Sequence, residues 1–595
     1  MTSTMDLYNQ WLKEPTLDRD LRKELLSMGQ EEETIADCFY QELTFGTSGI
    51  RGKMGPGTAN LNVHVIGRAT RGLAAYILKN YENPSAAIAY DSRIGSRDFA
   101  DETARILCEA GIAVYMFEDI SPVASLSFAI RQLGLSMGVM ITASHNPKEY
   151  NGYKVYDHTG CQIVGEAPRE IARHMAAFSY FAEAISPPRS DLQEAAGESA
   201  GTTEGHLPEH AKASRTDREI TEDSKESATA EQKRLLLEGH PLFHYIEKEI
   251  LGEYVRQAVV ASLPGGGEEE LKIVYTPLNG SGRRFVPAAL YAGGFNNLTF
   301  VQNQMAADGR FLTCPVPNPE CPAVFTEAER VCDEVQADLI LATDPDCDRV
   351  GVAIRRENNY WYPTGNQVGI LLCHYLCENR QEVEGKTIVR SIVSSPLIDH
   401  IAKAHGVQLA TTLTGFKYIG EKMNALGEDF LFGFEEGNGY LAATHVRDKD
   451  GVSAALLIAQ MAAFYKRRSM DLYDALHVIY ATYGYMREEV RGFTFEGRRG
   501  KNHMAEIMDM LRQDSEEYYP AEEFSVRDYK DGLNGLPPAD VLEFVKNEDE
   551  KTVIRPSGTE PKIKAYAFAR GEDKESVRVL LDEAEAIVQD IMGVD

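Results

Sequence analysis

The sequence of 595 residues has no CxxC cysteine pair, no excess of positive charge and no long apolar run. Its nine cysteines are scattered, which fits a reducing compartment better than a disulfide framework. A net charge of −30 argues against a protein that holds nucleic acid by overall charge. No apolar run approaches the roughly 18 residues of a membrane span, and the charged N-terminal stretch lacks a signal-peptide core. The sequence therefore predicts a cytoplasmic protein without nucleic-acid or membrane partners.

Three familiar ligand motifs are also missing. The glycine-rich stretch TFGTSGIRGKMGPGT (44–58) fits neither GxxxxGK[ST] nor GxGxxG. It carries Arg51, which could face a phosphoryl group, although an ordinary loop explains the stretch equally well. An EF-hand fails for the acidic stretch that begins at Asp344, because Arg349 and Arg355 stand where that motif needs glycine and glutamate.

What the sequence does contain is an alternation of strand and helix patterns, which is typical of α/β sheets. We predict an α/β fold with three similar mixed α/β sheet domains and a smaller C-terminal α+β domain. The predicted domains span residues 1–184, 241–364, 365–484 and 485–595. Residues 185–240 form a predicted low-complexity insert or linker, because the stretch 190–232 has too few large apolar residues to offset its ordering entropy.

Two loops follow predicted buried strands. After the run MGVMI comes TASHNP (142–147), which contains Ser144 and His145. This stretch is either an ordinary turn or a loop that presents the serine for a catalytic role. After ADLILAT comes DPDCDR (344–349), whose alternating carboxylates would repel one another without a cation. A solvated acidic turn is the alternative, but so few ligands beside an arginine favour Mg²⁺ shared with a phosphate oxygen.

Two further loops complete the set. FGFEEGNGY (432–440) pairs two glutamates that could accept hydrogen bonds from sugar hydroxyls, although such a turn is common. IRPSGTEPKIK (554–564) offers a guanidinium, two hydroxyls, a glycine and an ammonium, and it forms either a phosphate cradle or a hairpin turn. Because open α/β sheets bind ligands at strand ends, these loops together predict a protein that handles a phosphorylated sugar.

The stretches TASHNP, DPDCDR, GFEE and RPSGT, in this order, resemble the α-D-phosphohexomutase superfamily, which includes phosphoglucomutase and phosphomannomutase. The resemblance covers the chain apart from the 190–232 insert. GFEEGNGY and VRDKDGVSAA further resemble the branch that holds bacterial phosphoglucomutases and animal phosphopentomutase-like enzymes. The resemblance implies four domains around a central cleft, with one loop from each domain in the active site.

The resemblance also implies a role for each site residue. The expected catalytic residues are Ser144, which carries the phosphoryl group, with Arg51, His145 and Lys154 near it. The expected metal ligands for Mg²⁺ are Asp344, Asp346 and Asp348 together with phosphorylated Ser144. The expected substrate-binding residues are Arg349, Lys417, Glu435, Glu436, Arg555, Ser557, Gly558, Thr559 and Lys562.

The expected activity is the interconversion of glucose 1-phosphate and glucose 6-phosphate, with glucose 1,6-bisphosphate as activator. One position departs from the resemblance, since many glucose-type members have serine where this chain has Gly437. Phosphopentomutase, phosphomannomutase and glucose-1,6-bisphosphate synthase activities therefore stay open. A metal-dependent sugar phosphatase and a non-catalytic phosphosugar sensor are more remote alternatives. The expected partner is a phosphorylated sugar, and the expected assembly is a monomer or a dimer.

Overall fold

The computed structural model describes residues 3–29, 31–46, 49–182, 230–357, 359–495, 497–557 and 562–593. Four β-sheets follow one another along the chain, with helices packed against them. Three sheets mix parallel and antiparallel strands, and the fourth has antiparallel pairs throughout. The predicted fold class, α/β with a smaller C-terminal α+β part, is confirmed.

The first sheet has six strands in the order β1-β5-β4-β2-β3-β6. Its strands are β1 (Gly49–Lys53), β2 (Ser85–Tyr90), β3 (Ala113–Met116), β4 (Met137–Ile141), β5 (Tyr150–Asp157) and β6 (Phe243–Tyr245). The helices of this region are α1 (Thr4–Lys13), α2 (Arg19–Ser27), α3 (Glu32–Phe39), α4 (Val63–Asn80), α5 (Ser96–Glu109), α6 (Val123–Leu133), α7 (Ala167–Ala176) and α8 (Ala230–Glu238). Strand β6 lies after the insert, yet it pairs in parallel with β3.

The second sheet has five strands in the order β11-β10-β9-β7-β8. Its strands are β7 (Ile273–Thr276), β8 (Leu298–Phe300), β9 (Leu339–Thr343), β10 (Val350–Arg356) and β11 (Asn359–Trp361). The helices around it are α9 (Lys248–Val260), α10 (Gly282–Ala292), α11 (Gln302–Met305) and α12 (Thr326–Val335).

The third sheet has four strands in the order β13-β12-β14-β15. Its strands are β12 (Thr387–Ser391), β13 (Gln408–Thr412), β14 (Phe430–Glu435) and β15 (Gly439–Leu441). Its helices are α13 (Gly365–Asn379), α14 (Leu397–Ala404), α15 (Phe416–Leu426), α16 (Gly451–Lys466) and α17 (Leu472–Tyr483). The Asp450 side chain caps α16 by accepting from the backbone N–H groups of Val452 and Ser453.

The fourth sheet has five strands in the order β16-β20-β19-β18-β17. Its strands are β16 (Tyr485–Thr494), β17 (Ser525–Asp528), β18 (Leu542–Val545), β19 (Lys551–Pro556) and β20 (Lys562–Gly571). Helices α18 (Gly497–Gln513) and α19 (Lys574–Met592) belong to this region.

The predicted insert falls largely outside the described residues, which resume at Ala230 with α8. The predicted domain boundaries stay a prediction. No helix within the described ranges is long and apolar enough to cross a membrane.

The first three sheets repeat one arrangement that positions the loops. In each, a buried strand runs parallel to one neighbour, ends in a loop and returns as an antiparallel strand: β4 to β5, β9 to β10 and β14 to β15. The turn at the end of the buried strand falls at residues 142–149, 344–349 and 436–438. The loops singled out in the sequence therefore occupy equivalent places, at the carboxyl ends of parallel strands.

Candidate active site

Ser144 has a backbone conformation that is rare for a serine. Its φ of 52° lies in the left-handed region, where a side chain other than glycine's is strained. The loop compensates, because the Ser144 N–H donates to Thr142 Oγ1 at 2.8 Å. The Ser144 hydroxyl lies 2.8 Å from Asp344 Oδ2, to which it donates, and 3.2 Å from His145 Nδ1. The nucleophile-bearing loop of the first sheet thus meets the acidic loop of the second.

Arg93 fixes the Ser144 loop through hydrogen bonds to its backbone. Its guanidinium donates to the carbonyl oxygens of Ser144 at 2.6 Å and of Pro147 at 2.8 Å, and also to that of Asn146. Asp91 balances the buried charge, with Oδ2 3.2 Å from Arg93 Nε. Both side chains are nearly inaccessible to solvent, so this ion pair fixes the loop rather than meeting a ligand.

The acidic loop after β9 brings three carboxylates to one point. One oxygen from each of Asp344, Asp346 and Asp348 lies within 4.8 Å of the others, and all three side chains are buried. Asp344 is the most constrained, since its Oδ1 accepts from the backbone N–H groups of Asp348 and Arg349 at 3.1 Å each. Burial raises the pKa of Asp344 well above its ordinary value, and the charges of Asp346 and Asp348 add to this effect.

Cations from two other regions surround this triad. Lys154 of β5 places Nζ 2.8 Å from Asp346 Oδ2, and Lys449 places Nζ 3.2 Å from Asp348 Oδ2. Lys449, Lys154 and Arg349 hold the pKa of Asp348 well below its usual range, against the burial that opposes it. Asp348 is therefore ionised at neutral pH, and the same contacts tie the first, second and third sheets together.

The triad has donor atoms left over for a metal ion. Asp346 Oδ1 and Asp348 Oδ1 are buried and have no hydrogen-bond partner among the described residues. Such oxygens are costly to bury unless something positive meets them. Carboxylate oxygens on a rigid loop are the ligands that Mg²⁺ prefers. The residues present therefore fit a hard divalent cation beside the Ser144 hydroxyl.

His145 and Arg51 lie beside the Ser144 loop. Burial, together with the charges of Arg349, Arg51, Lys564 and Arg93, lowers the pKa of His145 well below its ordinary value. The imidazole is consequently neutral near pH 7, and its Nδ1 faces the Ser144 hydroxyl. Arg51, on β1, donates to Asn146 Oδ1 at 3.3 Å.

The sugar-loop candidates of the third sheet lie beside these groups. Glu435 Oε1 accepts from the backbone N–H of Gly415 at 2.5 Å, which joins it to the turn that precedes Lys417. Burial lowers the pKa of Lys417 to about 8, although the charge of Glu435 opposes the shift. Burial and then the charge of Glu435 raise the pKa of Glu436 to about 7. Glu436 Oε2 is buried and lacks a partner within the described part of the chain.

Gly437 packs against an ion pair from the second domain. Arg349 Nη1 bonds to Glu320 Oε1, and a Cβ at position 437 would lie 3.2 Å from that oxygen and 3.3 Å from Nη1. The next residue, Asn438, adopts a φ of 61°. Its carbonyl oxygen accepts from the Val350 N–H at 3.0 Å, which fixes the sugar loop onto the acidic loop.

The fourth sheet contributes Arg555, near the end of β19. Its guanidinium carbon lies 6.0 Å from the centroid of the Tyr566 ring, and the Tyr566 hydroxyl donates to Glu436 Oε1 at 3.2 Å. The Ser557 N–H donates to the carbonyl of Lys562 at 2.7 Å, which closes the base of the predicted phosphate loop. Gly558 and Thr559 lie outside the described residues.

The described candidates thus form two linked groups. Ser144, His145, Lys154, Arg349 and the three aspartates make direct contacts around one centre. Lys417, Glu435, Glu436 and Arg555 form a second group, joined to the first through Gly437 and Asn438. Ser557 and Lys562 meet at the base of the fourth loop.

Sequence reasoning passed over several residues in this arrangement. Arg93 and Asp91 follow β2, which lies beside β4, so their position at a neighbouring strand end was a usable signal. Lys449 lies in VRDKDG, a stretch used only for the resemblance. Glu320 and Tyr566 carry no such signal, because only the tertiary fold brings them to Arg349 and Glu436.

Comparison with known families finds three consecutive matches. Residues 42–180, 253–357 and 364–483 match the phosphoglucomutase/phosphomannomutase alpha/beta/alpha domains I, II and III, respectively. These ranges contain the Ser144 loop, the aspartate loop and the Glu435 loop.

Curated relatives and solved structures agree with these matches. A phosphoglucomutase of Staphylococcus epidermidis is 32% identical over 575 residues, which cover 94% of this chain and 96% of that protein. A phosphoglucomutase of Staphylococcus aureus is 31% identical, covering 91% and 92%. The crystal structure of the phosphoglucomutase parafusin from Paramecium, in its open form, has a TM-score of 0.64 at 16% identity and covers 93% of this chain and 95% of that one. A phosphoglucomutase/phosphomannomutase family protein from Burkholderia thailandensis has a TM-score of 0.63 at 16% identity, covering 93% and 99%.

Proposed function

The chain belongs to the phosphoglucomutase/phosphomannomutase family and is an intramolecular phosphotransferase. On that premise, we propose that it interconverts glucose 1-phosphate and glucose 6-phosphate through a phosphoryl group carried on Ser144. The observation that carries the proposal is the 2.8 Å contact between the Ser144 hydroxyl and Asp344, inside a cluster of buried carboxylates and cations.

The proposed cycle has two transfers. Phosphorylated Ser144 gives its phosphoryl group to the free hydroxyl of a sugar monophosphate, so the P–O bond to Ser144 breaks as one to the sugar forms. The sugar bisphosphate then turns over in the site. Its other phosphoryl group passes to the Ser144 oxygen, which leaves the isomeric monophosphate. Phosphoryl transfer asks the protein mainly for positioning and charge stabilisation.

Asp344, Asp346 and Asp348 would hold Mg²⁺, supported by the two buried oxygens that lack partners among the described residues. A bound Mg²⁺ would offset charge on the phosphoryl oxygens. Lys154 and Arg51 supply positive charge on the same side. We assign proton transfer at the Ser144 oxygen to His145, because its Nδ1 lies 3.2 Å from that hydroxyl.

The second group of residues would hold the sugar phosphate. Glu435 and Glu436 offer acceptors for hydroxyl groups, and Lys417 offers a cation on the same face. Arg555, with the predicted loop residues Ser557, Gly558, Thr559 and Lys562, would bind the phosphate that does not react, and Arg349 would contact the substrate from the first group. Because the sugar turns over, this cradle must accept either end of it. Glucose 1,6-bisphosphate would restore the phosphoryl group after hydrolysis.

The test is Ser144→Ala in a coupled assay of glucose 6-phosphate formation, with Mg²⁺ and glucose 1,6-bisphosphate present. Activity should fall by at least about 1,000-fold, because the variant has no atom to carry the phosphoryl group. Ser136→Ala is the matched control, since Ser136 is a buried serine just before the other end of β4. Its activity should stay near that of the wild type.

Three outcomes would contradict the proposal. Retained mutase activity in Ser144→Ala would exclude Ser144 as the carrier. Stoichiometric release of inorganic phosphate by the wild type would indicate a hydrolase. Faster turnover of mannose, ribose or deoxyribose 1-phosphate than of glucose 1-phosphate would leave the transfer chemistry intact and overturn the glucose assignment.

A further inference from the structure

A second set of metal-ligand side chains lies away from the three aspartates, on the helical layer of the third sheet. One nitrogen each of His374 and His405 and one carboxylate oxygen of Glu378 lie within 4.8 Å of one another. His374 and Glu378 are one turn apart on α13, so they share a helix face, while His405 follows the last residue of α14.

The distances within this cluster suit a tetrahedral ion. His405 Nε2 lies 3.3 Å from Glu378 Oε1. Two ligands on one zinc ion, with bonds of about 2.0–2.1 Å, lie about 3.3 Å apart. The His374 and His405 rings stand nearly perpendicular, with centroids 6.2 Å apart. Two imidazoles and one carboxylate are a donor set that zinc takes, with water in the fourth position.

Neighbouring tyrosines orient the histidines. The Tyr465 hydroxyl lies 3.4 Å from His374 Nδ1, and the Tyr483 hydroxyl lies 3.3 Å from His405 Nε2. Because His405 Nε2 faces both Glu378 and the Tyr483 hydroxyl, an ion bound there would replace the hydrogen bond to Tyr483. The cluster is also accessible, since the His374, His405 and Glu378 side chains are partly or largely exposed.

Two helix ends add negative potential at the cluster. Helices α13 and α14 end here, at Asn379 and Ala404, and helix carboxyl ends carry partial negative charge. The end of α17 is already met by Arg570, which donates to the Tyr483 carbonyl oxygen at 2.9 Å. Arg380, the basic residue nearest the end of α13, points elsewhere and donates to the carbonyl oxygens of Ala261 and Ala442.

We infer that His374, Glu378 and His405 form a binding site for a divalent transition-metal ion, with zinc as the best fit. The ion joins the carboxyl ends of α13 and α14, next to Tyr483 at the end of α17. Because an ion that binds only the folded protein stabilises it, the site acts as a structural clamp on this corner of the molecule. The site is separate from the proposed catalytic centre and does not depend on the proposed function.

The test is a zinc titration of chelator-treated protein by calorimetry and thermal unfolding, with excess Mg²⁺ present to compete at the three aspartates. Zinc should bind and raise the unfolding temperature of the wild type. His405→Ala and Glu378→Gln should each weaken binding at least tenfold and reduce the thermal shift. Glu378 is half exposed, so the second variant should fold even if the first does not. His477→Ala is the matched control, because His477 is an exposed histidine on α17.

The absorption spectrum of the protein with cobalt in place of zinc distinguishes the proposed ligands from cysteine thiolates. Cys373 and Cys377 are buried on the same helix and are the obvious competitors for a soft ion. Cobalt bound at the proposed site should show visible d–d bands without a thiolate charge-transfer band. A thiolate band, unchanged affinity in both variants, or no zinc binding to the wild type would overturn the inference.

Discussion

The acidic loops after β9 and β14 stand at equivalent places in neighbouring sheets, yet their charges are stabilised differently. At residues 344–348, burial raises the pKa of Asp344, whereas Lys449 and Lys154 from other elements, with Arg349 of the same loop, keep Asp348 ionised. At residues 435–436, after β14, burial and mutual repulsion instead raise the pKa of Glu436 to about 7. The buried carboxylates of the first loop would be stabilised by an added cation, whereas Glu436 in the second loop would be stabilised by a proton or by a hydrogen-bond donor.

This difference shows how one structural unit serves two tasks. Both loops connect a buried parallel strand to an antiparallel return strand. Alternation of the aspartates places one oxygen of each within 4.8 Å, as a metal needs. Adjacent glutamates cannot converge in this way, and Glu435 and Glu436 take different partners, the Gly415 N–H and the Tyr566 hydroxyl. An acceptor left over in such a place suits a hydroxyl group of a ligand.

The largest effect is expected when a charge is removed from the aspartate loop at residues 344–348. Asp346→Asn keeps the shape of the side chain but takes away one ligand charge. We expect mutase activity to fall by at least about 100-fold, because a charged ligand of the proposed ion is lost. Steady-state assays across a Mg²⁺ titration should show a raised Mg²⁺ requirement.

Thermal unfolding adds a second signature for the same variant. Without Mg²⁺, Asp346→Asn removes a like charge from the cluster but also loses the 2.8 Å ion pair with Lys154, so the informative quantity is the stability gained when Mg²⁺ is added. With Mg²⁺, only the wild type should gain stability. Asp308→Asn is the control, because Asp308 pairs with Arg310 away from the cluster. Equal Mg²⁺ stabilisation of Asp346→Asn and wild type would mean that the triad is not the metal site.

The second loop should respond to pH. The folded-state pKa of Glu436, about 7, exceeds the ordinary value of 4.5, so the folded protein binds this proton more tightly than the unfolded chain does. The free energy of unfolding should therefore fall as pH rises from about 4.5 to about 7, and then level off. Glu436→Gln has no proton to lose. It should be more stable than the wild type by about 3 kcal/mol at pH 8 and by about 1 kcal/mol or less at pH 5.

Urea unfolding of ligand-free protein at the two pH values measures this difference. Glu421→Gln provides the control, since Glu421 is exposed on α15 and should show no pH-dependent change relative to the wild type. A variant that is no more stable at pH 8 than at pH 5, relative to wild type, would show that Glu436 loses its proton well below neutrality.

The same comparison explains what the sequence could reveal. Buried apolar runs followed by polar residues are local signals, and they located the loops at 142–147, 344–349 and 432–440 and the mixed sheets that carry them. The charge state of each loop depends on partners distant in the sequence. Lys449 meets Asp348, and Tyr566 meets Glu436, only after the sheets assemble.

Two features of the fold were hidden for related reasons. The largely apolar stretch from Val452 to Tyr483 forms two helices, α16 and α17, which are separated near Ser469, where φ is 58°. Apolar periodicity on both sides of this short break conceals it. The return of β6 to the first sheet depends on pairing with β3 across the insert, and a strand of three residues gives almost no signal of its own.

The smallest expected effect concerns Gly437, where the two acidic loops touch. Gly437→Ser would introduce a Cβ 3.2 Å from Glu320 Oε1 and 3.3 Å from Arg349 Nη1. Because both atoms lie at the ends of side chains, a small shift of the ion pair should accommodate the serine. We expect the free energy of unfolding to change by about 1 kcal/mol or less. We expect kcat/KM for glucose 1-phosphate to change by at most about fivefold, which corresponds to about 1 kcal/mol of transition-state stabilisation.

A double-mutant cycle with Glu320→Ala tests whether this packing is the reason for the glycine. Removing the Glu320 carboxylate takes away the nearest contact, so Gly437→Ser should cost less in the Glu320→Ala background than in the wild type. Gly492→Ser is the control, because a Cβ there meets no atom within 4 Å. Additive effects of the two substitutions would mean that the Arg349–Glu320 pair tolerates a serine freely. The ion pair would then place no constraint on position 437, and its glycine would have to be explained by the substrate, through the relative kcat/KM values for glucose and mannose 1-phosphates.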